Sequence, residues 1–162
     1  MKVATVECFT HCEIGMEIHR LSAPYSKQLK GVSVLFSGFF PEVKTIEKLL
    51  GLKLPKPIAE LNGIKVYDEE TDSAVALTLS RRIKSLLNAD ISIASSAGIG
   101  RGAVVISFFS NNYLIRSEYN VNLLKASPSE IEKRKRSAVE RSIETFLRLV
   151  FNLKLPDFVE VL

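Results

Sequence analysis

Residues 2–15 read Lys2-Val3-Ala4-Thr5-Val6-Glu7-Cys8-Phe9-Thr10-His11-Cys12-Glu13-Ile14-Gly15, and how this stretch is parsed decides the fold. Val3, Ala4 and Val6 supply an apolar, β-compatible run that reads as a buried strand. Thr10 has Glu13 three residues on, the spacing of a capping box with Thr10 as N-cap, and Ile14, Ile18 and Leu21 then recur at helical intervals. The stretch is therefore a strand that runs into the first turn of a helix. Cys8 falls in the turn between them, where unpaired backbone N–H groups and the helix dipole favour a thiolate. The chemistry of the chain is expected here.

Outward from this unit the chain keeps alternating. Ser22 to Lys30 is a polar connection containing Pro24, and Val32 to Phe36 reads as a second strand ending at Ser37-Gly38. Pro41 opens a short helix over Glu42 to Leu50, and Gly51, Pro55 and Pro57 stop regular structure. Ile64 to Tyr67 is a brief edge strand. Asp72 is read as the cap of a helix whose inward stripe is Val75, Leu79, Ile83, Leu86 and Leu87, ended by Asn88. Asp90 to Ala94 is a strand that feeds the loop Ser95 to Gly102. Ala103 to Phe109 pairs with Tyr113 to Val121 around the turn-forming triplet Ser110-Asn111-Asn112. Ser127-Pro128 introduces the longest helix, about Ser129 to Phe151, and Leu155 to Leu162 adds a short packed element. This order predicts an α/β fold: residues 1–162 as a single three-layer domain with a mixed, mainly parallel sheet flanked by helices.

Composition bounds the function. At 162 residues, 46% hydrophobic and 25% charged, the chain suits one hydrophobic core in an ordinary globular protein. No apolar run reaches the roughly 18 residues of a membrane span, and Glu7, Glu13 and Glu17 break any signal-peptide layout. A cytoplasmic location without a membrane partner is expected. Two cysteines four apart give no disulfide framework and read as free thiols. Much of the net charge of +4 sits in Lys133-Arg134-Lys135-Arg136. With Glu130, Glu132 and Glu140 interleaved, this run reads as a solvated helical face rather than a phosphate patch. No aromatic residues are threaded through it, so a nucleic-acid partner is not expected. Apolar positions on a short edge strand would serve a homodimer or pack under the tail.

Two groups of residues carry candidate chemistry. In the first, Cys8 is the nucleophile, His11 is the favoured base because it shares the turn, and Glu7 and Thr10 stand beside them. Strand alternation turns Glu7 away from Cys8 unless the backbone bends, and burial there would raise its pKa. The plain alternative is that Cys8 is a small core residue. Cys8, His11, Cys12 and His19 match no compact zinc spacing, so no metal is expected. In the second group, Gly98, Gly100 and Gly102 follow a strand, with Ser95, Ser96 and Arg101 as further donors, and read as a cradle for a nucleotide-like anion. A β-rich stretch follows, so this is neither a Walker loop nor a dinucleotide fingerprint, and a tight connection without a ligand is the alternative. The two groups converge if their strands are parallel neighbours, with both at the carboxyl edge.

The segments VATVECFTH, VLFSGFFPEV and ISIASSAGIGRGAVV closely resemble, over nearly the full chain, the HcgF-type family of methanogenic archaea, which acts in biosynthesis of the iron-guanylylpyridinol (FeGP) cofactor of [Fe]-hydrogenase. The resemblance implies that the cysteine of the ECF motif, here Cys8, forms a thioester with the carboxyl group of guanylylpyridinol after a ThiF/E1-like adenylylating partner enzyme activates it. It implies guanylylpyridinol, or a related nucleotide-containing FeGP precursor, as the ligand, with no cofactor permanently bound. A more distant likeness is to the C-terminal domain of competence-damage-inducible proteins, nicotinamide mononucleotide deamidases with an A-E-S-x-T-G-G opening. Here Cys8 takes the serine position, His11-Cys12 replaces Gly-Gly, and the late GIAGPGG is reduced to AGIGRG. These departures favour a shared fold over a shared reaction. A nucleotide amidohydrolase and a non-catalytic nucleotide- or nucleic-acid-binding protein are the competing functional readings.

Overall fold

The computed structural model describes residues 1–26 and 28–162; Lys27, inside the expected Ser22–Lys30 connection, lies outside the described residues. The chain runs β1 (Lys2–Glu7), α1 (Glu13–Ser22), β2 (Ser33–Phe39), α2 (Val43–Leu50), β3 (Ala59–Leu61), β4 (Ile64–Val66), α3 (Glu69–Leu87) and β5 (Ile91–Ser96). It continues with β6 (Ile99–Gly100), β7 (Ala103–Phe108), β8 (Asn111–Ile115), β9 (Val121–Asn122), α4 (Pro128–Val150) and β10 (Val159–Val161). Six strands form one sheet in the order β10-β8-β7-β5-β1-β2. Strand alternation sorts its side chains into two faces. Val3, Ile91, Ile93, Val104, Ile106 and Ile115 pack with Ile14 and Ile18 of α1 and Phe146 of α4. Ala4, Val6 and Ala94 pack on the other side with Ile46 and Leu50 of α2 and Val75, Leu79 and Ile83 of α3. The result is a three-layer α/β domain with a mixed sheet. Gly15 lets α1 lie close to the sheet: a Cβ there would stand 2.7 Å from Thr5 Oγ1 and run into Ser37.

The sheet is mostly antiparallel, which corrects the expectation of a mainly parallel one. β2, β1 and β5 run parallel, whereas β5–β7, β7–β8 and β8–β10 are antiparallel. The cause is connection length. A parallel neighbour needs a crossover of about a dozen residues, and Ala97 to Gly102 is too short for one. The β7–β8 turn is tighter than expected: Phe108 pairs with Asn111, so Asn111 and Asn112 belong to the strand, and the turn residue Phe109 takes the left-handed conformation (φ 49°). Val121 does not continue β8; it pairs with Gly100 of the glycine loop. The Ile64–Val66 strand lies outside the main sheet and pairs with β3 through the left-handed Asn62-Gly63 turn. Ser127 and Glu130 close a capping box on α4, and Asn88 ends α3 in a left-handed cap. No helix among the described residues is long and apolar enough to cross a membrane.

Candidate functional site

β1 carries Glu7 and Cys8 to the carboxyl edge of the sheet, and its parallel neighbour β5 carries Ser95 and Ser96 beside them. The Cys8 N–H donates to Ser95 Oγ at 3.0 Å, and the Thr10 and Ser95 hydroxyls are 2.7 Å apart. At the far end of the loop, a Cβ on Gly102 would lie 3.0 Å from the Phe9 ring. The two groups of residues singled out in the sequence are thus neighbours.

Their internal arrangement differs from the sequence reading. Thr10 is not the N-cap of α1. Cys12 holds that position in a left-handed conformation (φ 64°) with no side-chain cap bond, directly after left-handed His11 (φ 51°). Two successive left-handed non-glycine residues bend the backbone sharply and bring Glu7 under the helix. Its buried carboxylate accepts from Thr10 Oγ1 (2.6 Å), Gly15 N (2.9 Å) and Ile14 N (3.3 Å). Burial pushes the Glu7 carboxyl up from its usual range, against the lowering effect of these hydrogen bonds. A protein carboxylate therefore already fills the anion site at the helix N-terminus, and that terminus has little left to offer a Cys8 thiolate.

Cys8 is 5% exposed. His11 is exposed, edge-on to Phe39 with ring centroids 5.6 Å apart, and its hydrogen bond to Cys8 is a backbone one, His11 N to Cys8 O at 3.1 Å. The fold does not bond its imidazole to the thiol. Cys12 is partly buried, and burial raises its thiol pKa. His19 is exposed on α1. Among the described residues no group of three or more His, Cys, Asp or Glu side chains could hold a metal ion.

In the glycine loop the N–H groups point at protein acceptors. Gly98 N donates to Asp72 Oδ2 (2.7 Å), Ile99 N to Tyr67 O (2.7 Å) and Arg101 N to Glu69 Oε2 (2.8 Å). Ser96 Oγ donates to Asp72 Oδ1 at 2.6 Å, and the Arg101 side chain pairs with Glu69 at 2.8 Å. Two carboxylates from the first turn of α3 stand where phosphate oxygens were expected. Gly98 is required because a Cβ would fall inside the Tyr67 backbone, while Gly100 and Gly102 hold positive φ of 125° and 73°.

The sequence reading missed two residues of this region. Asp72 does not cap α3; Asp68 does, accepting from Thr71 N at 2.8 Å. Asp72 lies one turn further along on the buried stripe with Val75 and Ala76, where a carboxylate needs partners. Burial pushes its carboxyl up; Ser96, Gly98, Lys65 and Arg134 oppose that. Arg134, expected from the sequence on a solvated face, is 1% exposed. Its Nη1 donates to the carbonyls of Gly98 (2.9 Å), Gly100 (3.1 Å) and Val121 (3.1 Å), and its guanidinium carbon is 5.6 Å from the Phe9 ring centroid. Its position three after Ile131 and four before Ala138 was the available signal. Lys135 is also largely buried and pairs with Glu13 and Glu132, so Lys133 and Arg136 are what the basic run exposes.

A carboxyl-edge site on a three-layer mixed sheet, closed by a late glycine loop and a long C-terminal helix, defines the class. The fold is that of the competence-damage proteins. It resembles a competence or damage-inducible protein from Enterobacter asburiae (TM-score 0.55, 16% identity, covering 93% of this chain and 87% of that one). A CinA superfamily protein from Enterobacter cloacae is similar (TM-score 0.53, 17% identity, 95% and 83% covered). Within that class, residues 1–150 match the family described as FeGP cofactor biosynthesis protein HcgF, and the chain belongs to this family. A UPF0254 protein of Methanocaldococcus jannaschii is 38% identical over 161 residues (91% of this chain, 95% of its own). Another, of Methanopyrus kandleri, is 37% identical over 172 aligned positions (99% and 93%). The family links the chain to FeGP cofactor biosynthesis.

Proposed function

We propose that this protein forms a thioester through Cys8 with the activated carboxyl group of guanylylpyridinol, acting with a ThiF/E1-like adenylylating enzyme. The supporting observation is the position of Cys8: it directly follows β1 at the carboxyl edge of the sheet, tied through its own N–H to Ser95 at the mouth of the glycine loop. In this reaction the Cys8 sulfur attacks the acyl carbon of the acyl adenylate. A C–S bond forms, the C–O bond to the phosphate breaks, and AMP leaves with the bonding electron pair while the thiol proton passes to solvent. The product keeps the acyl group activated for later use. Because Cys8 is buried in the resting chain, loading requires the 9–12 turn to move aside. The successive left-handed residues His11 and Cys12 make this turn a strained part of the site.

The test is intact-mass measurement after incubation with guanylylpyridinol, ATP and the activating enzyme. The expected result is a hydroxylamine-labile adduct that is absent from Cys8→Ser; an undiminished adduct in that variant contradicts the assignment. Partner-independent turnover of nicotinamide mononucleotide would favour the amidohydrolase reading instead.

A further inference from the structure

We propose that Arg134 is the anion-recognising residue of the Cys8 site, the unpartnered Nε edge of its guanidinium taking an oxygen of the ligand's carboxyl or phosphoryl group as the acyl carbon meets the Cys8 sulfur. This rests on Cys8 being the ligand-bearing thiol and names what holds the ligand there. Arg134 is 1% exposed, yet its Nε is buried without a hydrogen-bond partner among the described residues. A buried, charged donor left unpaired is costly and is uncommon in the absence of a role. The side chain cannot swing away to relieve it, because Nη1 is held by three carbonyls, two of them in the glycine loop. The charge balance points the same way. Lys65 is also buried and its ammonium bonds only the Phe40 carbonyl, at 3.2 Å, among the described residues. Asp72 spends its oxygens on Ser96 and Gly98. Two buried cations thus face one carboxylate that forms an ion pair with neither, and the Glu7 carboxylate is committed to α1. The missing charge is negative, and it belongs beside Phe9, the residue after Cys8, which the guanidinium overlies. Burial disfavours the charged form of this guanidinium, and the nearby charges of Asp72 and of an ionised Cys8 oppose that.

The test labels the full chain with iodoacetate, which carries a carboxylate, and iodoacetamide, which does not, resolving Cys8 from Cys12 by peptide fragmentation. The iodoacetate-to-iodoacetamide rate ratio at Cys8 is expected to fall by about tenfold or more in Arg134→Met. It should not change at Cys12, nor at either thiol in Arg136→Met, which alters an exposed neighbour. Equal ratios in wild type and Arg134→Met overturn the proposal. Arg134→Met also removes three bonds to the loop, so a wild-type ratio no higher than that of an unfolded cysteine peptide overturns it without any variant. Inorganic phosphate that slows iodoacetate labelling of Cys8 supports a phosphoryl source for the anion; a raised ratio that phosphate leaves untouched supports a carboxyl source. If neither reagent labels native Cys8, the thiol is sealed in the resting chain and labelling cannot report on the subsite. Calorimetric phosphate binding to Cys8→Ser and to its Arg134→Lys double variant then decides the subsite: weaker binding in the double variant supports it, equal binding overturns it.

Discussion

The two ends of β5 each carry a buried polar cluster, and they are built differently. At the amino end, the Ser80 hydroxyl lies 3.0 Å from that of Ser92 and 2.8 Å from that of Ser107, and Ser107 donates to Asn112 Oδ1 at 2.8 Å. This network is neutral and closed: each hydroxyl has partners, and its effect is to fix α3 against β5 and β7. At the carboxyl end, Ser95 bonds Thr10, which bonds Glu7, and Ser96 bonds Asp72, while Arg134 holds the adjoining loop carbonyls and retains an unpaired donor. Buried polarity alone therefore does not mark a site in this molecule. What sets the proposed site apart is unbalanced buried charge beside Cys8.

Three perturbations sharpen this contrast. Gly98→Ala should have the largest effect, because its Cβ has no space beside the Tyr67 backbone. A loss of about 3 kcal/mol or more by urea unfolding is expected, and a loss under about 1 kcal/mol would show that the loop is not held as described. Ser107→Ala, in the closed network, should cost about 1 kcal/mol and leave Cys8 labelling rates unchanged; altered labelling would mean that the two ends are coupled.

The smallest effect is a pH dependence. Burial raises the Asp72 carboxyl in the folded state, so its contribution to stability is fully present below the unfolded carboxylate value and is lost as pH rises through the raised folded value. The Tm difference between Asp72→Asn and wild type should therefore move in favour of the variant between about pH 4 and pH 8. The same scan on Ser107→Ala should be flat. A difference for Asp72→Asn that is flat or moves the other way breaks the assignment.

Much of the fold was legible because it rests on local periodicity. The Val3–Val6 strand, the α1 stripe of Ile14, Ile18 and Leu21, the Asn88 cap and the Ser127-Pro128 helix start all depend on near neighbours. The direction of β7 was also present in the sequence, as the shortness of Ala97–Gly102, but alternation of helices and strands suggested parallel crossovers instead. The helix-end assignments at Thr10 and Asp72 failed for a different reason. A capping residue and a buried polar residue of the first turn have the same composition, and only the tertiary partners, Ser95 for Thr10 and Ser96 with Gly98 for Asp72, tell them apart. Arg134 was obscured by charged neighbours in a run whose other members do face water or ion-pair at the surface. The proximity of Cys8 to the glycine loop followed from one condition, parallel pairing of β1 with β5, which is met.

Fragmentation of the Val3–Arg20 peptide from loaded wild-type protein tests the central claim most directly, since it carries both thiols. The guanylylpyridinol mass is expected on Cys8, with Cys12 still free for alkylation. Finding the mass on Cys12, or on no residue of this peptide, would contradict the account.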